Sequence, residues 1–291
     1  MSQPTVLYDV LGPKGRRNVR IGTALGTLVV AAIVAGALVQ LSRNGQLEAD
    51  RWAVLIDPES GVPQRLWEAL VNTLRAAAVA MAFSMVLGAF LAAGRLSDHA
   101  WVRMPVSVVV QFFRGIPLLL LILFAFLGLP KLGINVNLFW TLVIGLTAYN
   151  MAVLAEIFRA GILSIDRGQS EAGYARGLRK IQVMRLLLVP QAVRRIRPAI
   201  VSQLVTLLKD TSLGFVIGYF ELLRQGKALV DFYGNQFGLQ IYFAVALMYI
   251  AVNLALSMLA RYLDKRTSRN PKVAFDPKAE EAEPVVPLGR D

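Results

Sequence analysis

The chain has 291 residues, 56% of them hydrophobic and only 17% charged, against about 45–50% and about 25% in ordinary soluble domains. So much apolar surface exceeds what one soluble core can bury, and the chain reads as a membrane protein. With no cysteine and a single histidine, His99, disulfide frameworks, thiolate metal sites and cysteine nucleophiles are excluded, and no metal site is expected.

A helix needs about 20 apolar residues to cross the hydrocarbon core. Charge-free stretches of that size lie at Ile21–Leu41, Ala76–Gly94, Leu132–Ala155 and Phe232–Ala260. Met104–Pro130 is interrupted by Arg114, and Pro198–Phe220 by Lys209 and Asp210. The expected fold is an all-α membrane protein with six transmembrane helices.

The connecting segments alternate in charge. The N-terminus to Arg20 carries Lys14, Arg16, Arg17 and Arg20 against one acid. Ser42–Glu68 has three bases and five acids, Arg95–Arg103 is short and basic, and the turn at Lys131 holds one base. Arg159–Arg197 carries nine bases, Glu221–Asp231 is balanced, and Arg261, Lys265, Arg266 and Arg269 follow the last span. Lys and Arg collect in cytoplasmic loops, so six spans with both termini in the cytoplasm fit the alternation. The net charge of +12 then has a membrane origin, and no nucleic-acid partner is expected.

These segments divide the chain into a cytoplasmic tail at 1–20, a first span at 21–41 and an extracytoplasmic loop at 42–65. A transmembrane domain follows at 66–262, then a disordered cytoplasmic tail at 263–291. Basic residues, an apolar run and Ala35-Gly36-Ala37 also fit a cleaved signal peptide, although Ile21–Leu41 is long for one. Trp140 and Tyr262 near span ends suit interfacial anchoring, and His99 suits a solvated loop.

The long loop at 164–190 holds Gly168-Gln169-Ser170-Glu171-Ala172-Gly173-Tyr174-Ala175-Arg176-Gly177 and continues to Leu187-Leu188-Val189-Pro190. Its first part can form a short helix on which Ala172 and Ala175, and likewise Gly173 and Gly177, share a face. Small residues permit close approach of another body, and Glu171 suits a helix start. A solvated basic loop is the alternative.

Ionisable groups inside spans mark a pathway or a pair. Lys209-Asp210-Thr211-Ser212 falls midway along its span, with hydroxyls able to bond a substrate or a carbonyl; the run is either a structural ion pair or part of a translocation path. Arg114 precedes Gly115-Ile116-Pro117, which suggests a kink. Its guanidinium suits a carboxylate, either the substrate's or that of Glu156. Arg75 either snorkels to the interface or faces a cavity, where it would favour an acidic substrate.

The loop resembles that of ABC-importer permeases: Glu-Ala-Ala, three residues, Gly, nine residues, then Ile-x-Leu-Pro. Glu171, Ala172, Gly177 and Pro190 match in identity, with Gly173 for Ala, Leu187 for Ile and Val189 for Leu. Over about 66–262, Asn72-Thr73-Leu74, Phe113-Arg114-Gly115-Ile116-Pro117-Leu118-Leu119, Ala155-Glu156-Ile157-Phe158-Arg159-Ala160-Gly161 and Leu208-Lys209-Asp210-Thr211-Ser212-Leu213 resemble the polar-amino-acid uptake branch. The loop is similar to that of actinobacterial glutamate permeases.

The resemblance implies a type I ABC-importer permease core in the last five spans, in a bacterial plasma membrane. Glu171, Ala172, Gly173, Gly177, Leu187 and Pro190 would couple it to an ATPase. Arg75, Arg114, Glu156, Lys209, Asp210, Thr211 and Ser212 would line the path of a polar amino acid, glutamate by preference. Two ATP-binding subunits carrying ATP and Mg, a second permease subunit (the same chain or another) and an extracytoplasmic binding protein are the implied partners. No cofactor is expected in this chain. It has no G-x-x-x-x-G-K-[ST] phosphate loop, so hydrolysis falls to a separate subunit. Two readings compete: an ion-coupled secondary transporter using Asp210 or Glu156 as proton site, and a membrane-embedded enzyme.

Overall fold

The computed structural model describes residues 12–267, and among them there is no strand. The elements are α1 (Pro13–Arg43), α2 (Ala49–Ala53), α3 (Val62–Arg95), α4 (Ala100–Gly115), α5 (Leu118–Lys131), α6 (Leu138–Leu163), α7 (Arg167–Ala175), α8 (Lys180–Val183), α9 (Val189–Asp210), α10 (Leu222–Tyr233) and α11 (Gly238–Thr267). Five stretches are long and apolar enough to cross a membrane: α1, α3, α6, the run Lys180–Ile217, and Asn235–Leu259. The pair α4 and α5 makes a sixth when taken as one broken span.

The elements are longer than the apolar runs. Helix α1 already begins at Pro13, α3 takes in 62–65, and α10 occupies most of the segment read as a balanced loop. The 1–20 tail is thus helical from Pro13, and residues 1–11 lie outside the described residues. Of the segment 263–291, residues 263–267 continue α11, and 268–291 lie outside the described residues. Helix α1 has no buried residue.

The expected kink after Arg114 is a complete break, with α4 and α5 bent by 97°. Ile116 is extended, at φ −90° and ψ 130°. The ring of Pro117 disfavours the helical region for the residue before it and removes an N–H from the ladder.

The chain divides into two compact units. The first takes 12–79, 119–145 and 210–249 of the described residues. Its core includes Leu66, Ala76, Ile122, Leu142, Leu222 and Ile241. Helices pack closely there: a methyl group at Gly145 would stand 2.8 Å from Ile122 Cα, so only glycine lets the two backbones approach. Asn72 Nδ2 donates to the Phe220 carbonyl at 3.2 Å, and Leu222 N–H donates to Thr73 Oγ1 at 3.1 Å.

The second unit takes 80–118, 146–209 and 250–267. Ala92, Val110, Ala152 and Ala155 form a buried cluster, covered by Leu91, Val106, Phe113 and Phe158. Within it Gln203 Nε2 donates to Asn150 Oδ1 at 2.6 Å. Such a bond between helices satisfies polar groups that lipid could not.

Candidate functional site: the loop helix and a charged cluster

Helix α7 is short and fixed at both ends. At its start, the Asp166 side chain accepts from Gly168 N–H at 2.7 Å, an N-cap that satisfies one orphan donor. At its end, Gly177 N–H donates to the Tyr174 carbonyl at 2.9 Å and Leu178 N–H to the Gly173 carbonyl at 3.2 Å. That pair of bonds is the Schellman arrangement, which needs a left-handed residue at Gly177. Gly177 has φ +76°.

The two glycines therefore do different work, and their expected shared face does not exist. Gly177 lies beyond the helix end. Gly173 is buried and turned toward Val183 and Leu187. The exposed surface carries Glu171, Ala172, Tyr174 and Ala175 instead. Gln191 ties α7 down from behind, donating to Gln169 Oε1 at 3.3 Å and to the Leu187 carbonyl at 2.9 Å.

Pro190 is exposed in the first turn of α9. Immediately before it, Met184–Leu188 widens into a π-helical turn. Proline cannot donate to the carbonyl four residues back and crowds it, and a π turn accommodates that mismatch without ending the helix. Leu187, in this turn, is the half-buried seat for Gly173.

Also in the second unit, Glu156 on α6 collects three guanidinium groups. Arg159, one turn on, donates to its Oε1 from Nε at 3.1 Å and from Nη2 at 2.6 Å. Arg95, at the end of α3, donates to Oε2. Arg114, in the last turn of α4, approaches the same oxygen at 3.6 Å, an ion-pair distance but not a hydrogen bond. The expected pairing of Arg114 with Glu156 exists, but the close contacts belong to Arg95 and Arg159. The Arg95 side chain is 12% exposed and that of Arg114 44%. Three cations on one anion leave the cluster positive, with Arg114 its most open member.

The run 209–212 does not form one uniform surface. Lys209 is exposed, Asp210 and Ser212 are half-buried, and Thr211 is fully buried. Asp210 closes α9 and makes no capping bond to the tight turn Thr211–Ile217. In the first unit, the Thr211 and Thr73 hydroxyls lie beside the Tyr249 hydroxyl. Tyr249 in turn contacts Glu221 Oε2 at 2.7 Å. Glu221 is completely buried and also accepts from Leu223 and Arg224 N–H at 2.8 and 2.7 Å. Burial pushes its carboxyl above the ordinary range. Arg75 lies well inside α3 and is exposed.

Sequence reasoning missed Arg95, Arg159, Gln191 and the Glu221–Tyr249 network. Arg159 had a signal, since a Glu and an Arg three apart share a helix face. The others depend on tertiary proximity. Among the described residues no group of acids and histidines could hold a metal ion.

The described residues thus combine several membrane-spanning stretches with an exposed loop helix and charges set among the spans. A model described as "Binding-protein-dependent transport system inner membrane component" matches residues 84–269, and the chain belongs to that family. It is 37% identical over 229 residues to the glutamate transport system permease protein GluD of Corynebacterium glutamicum, covering 78% of this chain and 83% of the relative. It is 38% identical over 205 residues to the probable glutamine ABC transporter permease protein GlnP of Bacillus subtilis, covering 69% and 93%. A crystal structure of an amino acid ABC transporter with histidines matches with a TM-score of 0.65 at 29% identity, covering 70% of this chain and 94% of that one.

These relatives are membrane subunits of ABC importers, so the chain is a permease and not an enzyme. The ion-coupled and membrane-enzyme readings fall with that result.

Proposed function

We propose that this chain imports a polar amino acid, glutamate or glutamine, driven by ATP that a separate subunit hydrolyses. The relatives named for glutamate and glutamine transport support the substrate class. The observation that carries the coupling is the exposed Glu171 face of α7, braced from behind by the seating of Gly173 on Leu187 and by the Gln191 bonds. A helix held this firmly can transmit a push from a partner docked on its outer face.

In this reading two ATP-binding subunits, with ATP and Mg, grip two such loops. Two permease subunits enclose the path, and an extracytoplasmic binding protein delivers the substrate. Alternation between inward-open and outward-open states follows from a partner that binds one state better. Both termini and the basic loop at 164–190 lie in the cytoplasm, in accord with the charge bias. Of the residues assigned to the path, Arg75, Arg114 and Lys209 are exposed cations suited to a substrate carboxylate; Glu156 is held by its arginines, and Thr211 is fully buried.

Purification of the full complex in mild detergent and reconstitution into liposomes tests this. ATP inside the vesicles with binding protein outside, in the matching orientation, should drive uptake of labelled glutamate or glutamine. Glu171→Arg should lose the ATPase subunit on purification while inserting normally. A complex that keeps its ATPase and its uptake with Glu171→Arg overturns the coupling assignment.

A further inference from the structure

The second unit contains a cavity of about 690 Å³ that the transport reading does not use. That volume falls within the roughly 300–1,000 Å³ of small-molecule sites. Small side chains line it, Ala89, Ala92 and Ala93 on α3 and Ala192 on α9, with Ala92 and Ala192 buried and Ala89 and Ala93 exposed. Larger apolar side chains such as Phe158 and Met184 form the walls. Ile181 and Val193 line it and are exposed, so it opens at the surface of the unit. Its α3, α6 and α9 sides belong to membrane-spanning stretches and its Lys180, Ile181 and Met184 side to the loop at 164–190, so it sits at the membrane boundary, where an acyl chain is the available apolar filler.

One end of the cavity is polar, and Arg103 stands beside it without lining it. Ser97, Asp98, His99 and Lys180 line it there. Lys180 pairs with Asp98 and donates to the Leu96 carbonyl at 3.3 Å. Arg103 donates to the Ser97 carbonyl at 3.4 Å. Asp98 offsets one of these two cations and leaves the other over. His99 stacks on Trp101 with ring centroids 5.9 Å apart, and Trp101 is 76% exposed. An exposed Trp beside basic residues marks headgroup depth. Basic pockets between membrane helices on the cytoplasmic side hold anionic lipid headgroups.

We propose that this cavity is a phospholipid site. An acyl chain of an anionic phospholipid fills the alanine-lined space, and Arg103 and Lys180 hold its phosphate. The site rests on the cytoplasmic placement of this end proposed above. Met184 belongs to the π turn on which Gly173 is seated, so an occupied cavity steadies the mount of α7.

The test uses the full complex purified in mild detergent, with native mass spectrometry after adding palmitoyl-oleoyl phosphatidylglycerol or the same-chain phosphatidylcholine. Phosphatidylglycerol should be retained, one per chain. Ala93→Phe should cut its retention at least tenfold, and Ala89→Phe, one turn away, should do the same. Arg103→Gln and Lys180→Gln should each lower the preference for phosphatidylglycerol about fivefold, the effect of one cation near an anionic headgroup. Unchanged retention in both Phe variants, or equal retention of the two lipids, overturns the site. If both Phe variants lose the ATPase through misfolding, the Gln variants still decide. The chain has no cysteine, so Ser97→Cys tests placement separately. Labelling from outside sealed cells overturns the cytoplasmic reading whatever the lipid result; labelling from the cytoplasmic side alone leaves the lipid result to judge the site.

Discussion

Gly173 of α7 is seated directly on Leu187 of the π turn. A methyl group at Gly173 would stand 2.9 Å from Leu187 Cδ1 and equally 2.9 Å from Val183 Cγ2. The contact joins the exposed loop helix to the start of a membrane-spanning helix, which is the connection a coupling element needs. Gly173→Leu should overpack it at a cost of about 1–3 kcal/mol and tilt Glu171 out of position. Uptake and co-purification of the ATPase should fall together, while Gly173→Ala should be milder, because the end of Leu187 can swing aside even though the stiff, buried Val183 must give by a few tenths of an ångström. Uptake assays on both variants check the order.

Gly177 contributes by conformation alone, since a side chain there would meet nothing within 4 Å. Its φ of +76° costs an ordinary L residue about 1–2 kcal/mol. Gly177→Ala should therefore unwind the end of α7 and reduce uptake severalfold. Gly177→Asn should keep more activity, because asparagine also serves at this position of a helix end. Equal loss in the two variants would argue for a direct partner contact at this position.

The guanidinium cluster predicts a ranking. Arg95 is the least exposed partner of Glu156 and Arg114 the most. Breaking a buried pair costs about 3–5 kcal/mol. Glu156 is a quarter exposed and keeps two other partners, so Arg95→Ala should cost about 1–3 kcal/mol. Arg114→Ala should cost under about 1 kcal/mol yet impair transport, because its 44%-exposed side chain is the open cation beside the broken span. Thermal unfolding in detergent and uptake kinetics separate the two effects. An Arg114→Ala variant that is unstable but transports normally would reverse the assignment.

What the sequence made legible follows from what each feature depends on. Spans came from composition, because twenty apolar residues have no other stable place. The loop helix came from a spaced motif, although only the structure shows that Gly173 turns inward and Gly177 ends the helix. The break at Pro117 was signalled by local chemistry, but its 97° bend was not. Arg95 and Glu156 are 61 positions apart, and no periodicity within one helix brings them together. Glu221 carried no sign of its complete burial; a charged residue between apolar segments reads as a loop until its partner Tyr249 is placed beside it.

Glu221 supplies a pH prediction. Burial raises its carboxyl above the ordinary range, so the folded state holds the proton more tightly than the unfolded chain, whose value is about 4.3. Its stabilising contribution is then full below about pH 4 and is lost as pH rises through the raised folded value. Glu221→Gln removes the ionisation but keeps an acceptor for Leu223 and Arg224 N–H. That variant should be closest to the wild type in acid and gain on it as pH rises from about 5 to 8. Glu221→Ala leaves those donors and the Tyr249 hydroxyl without this partner, and should cost about 2–4 kcal/mol in acid, a difference that narrows as pH rises because only the wild type loses its contribution. Thermal unfolding of the three proteins across that range checks both statements. A wild type that gains on Glu221→Gln with rising pH would show that the three donors on Glu221 outweigh its burial.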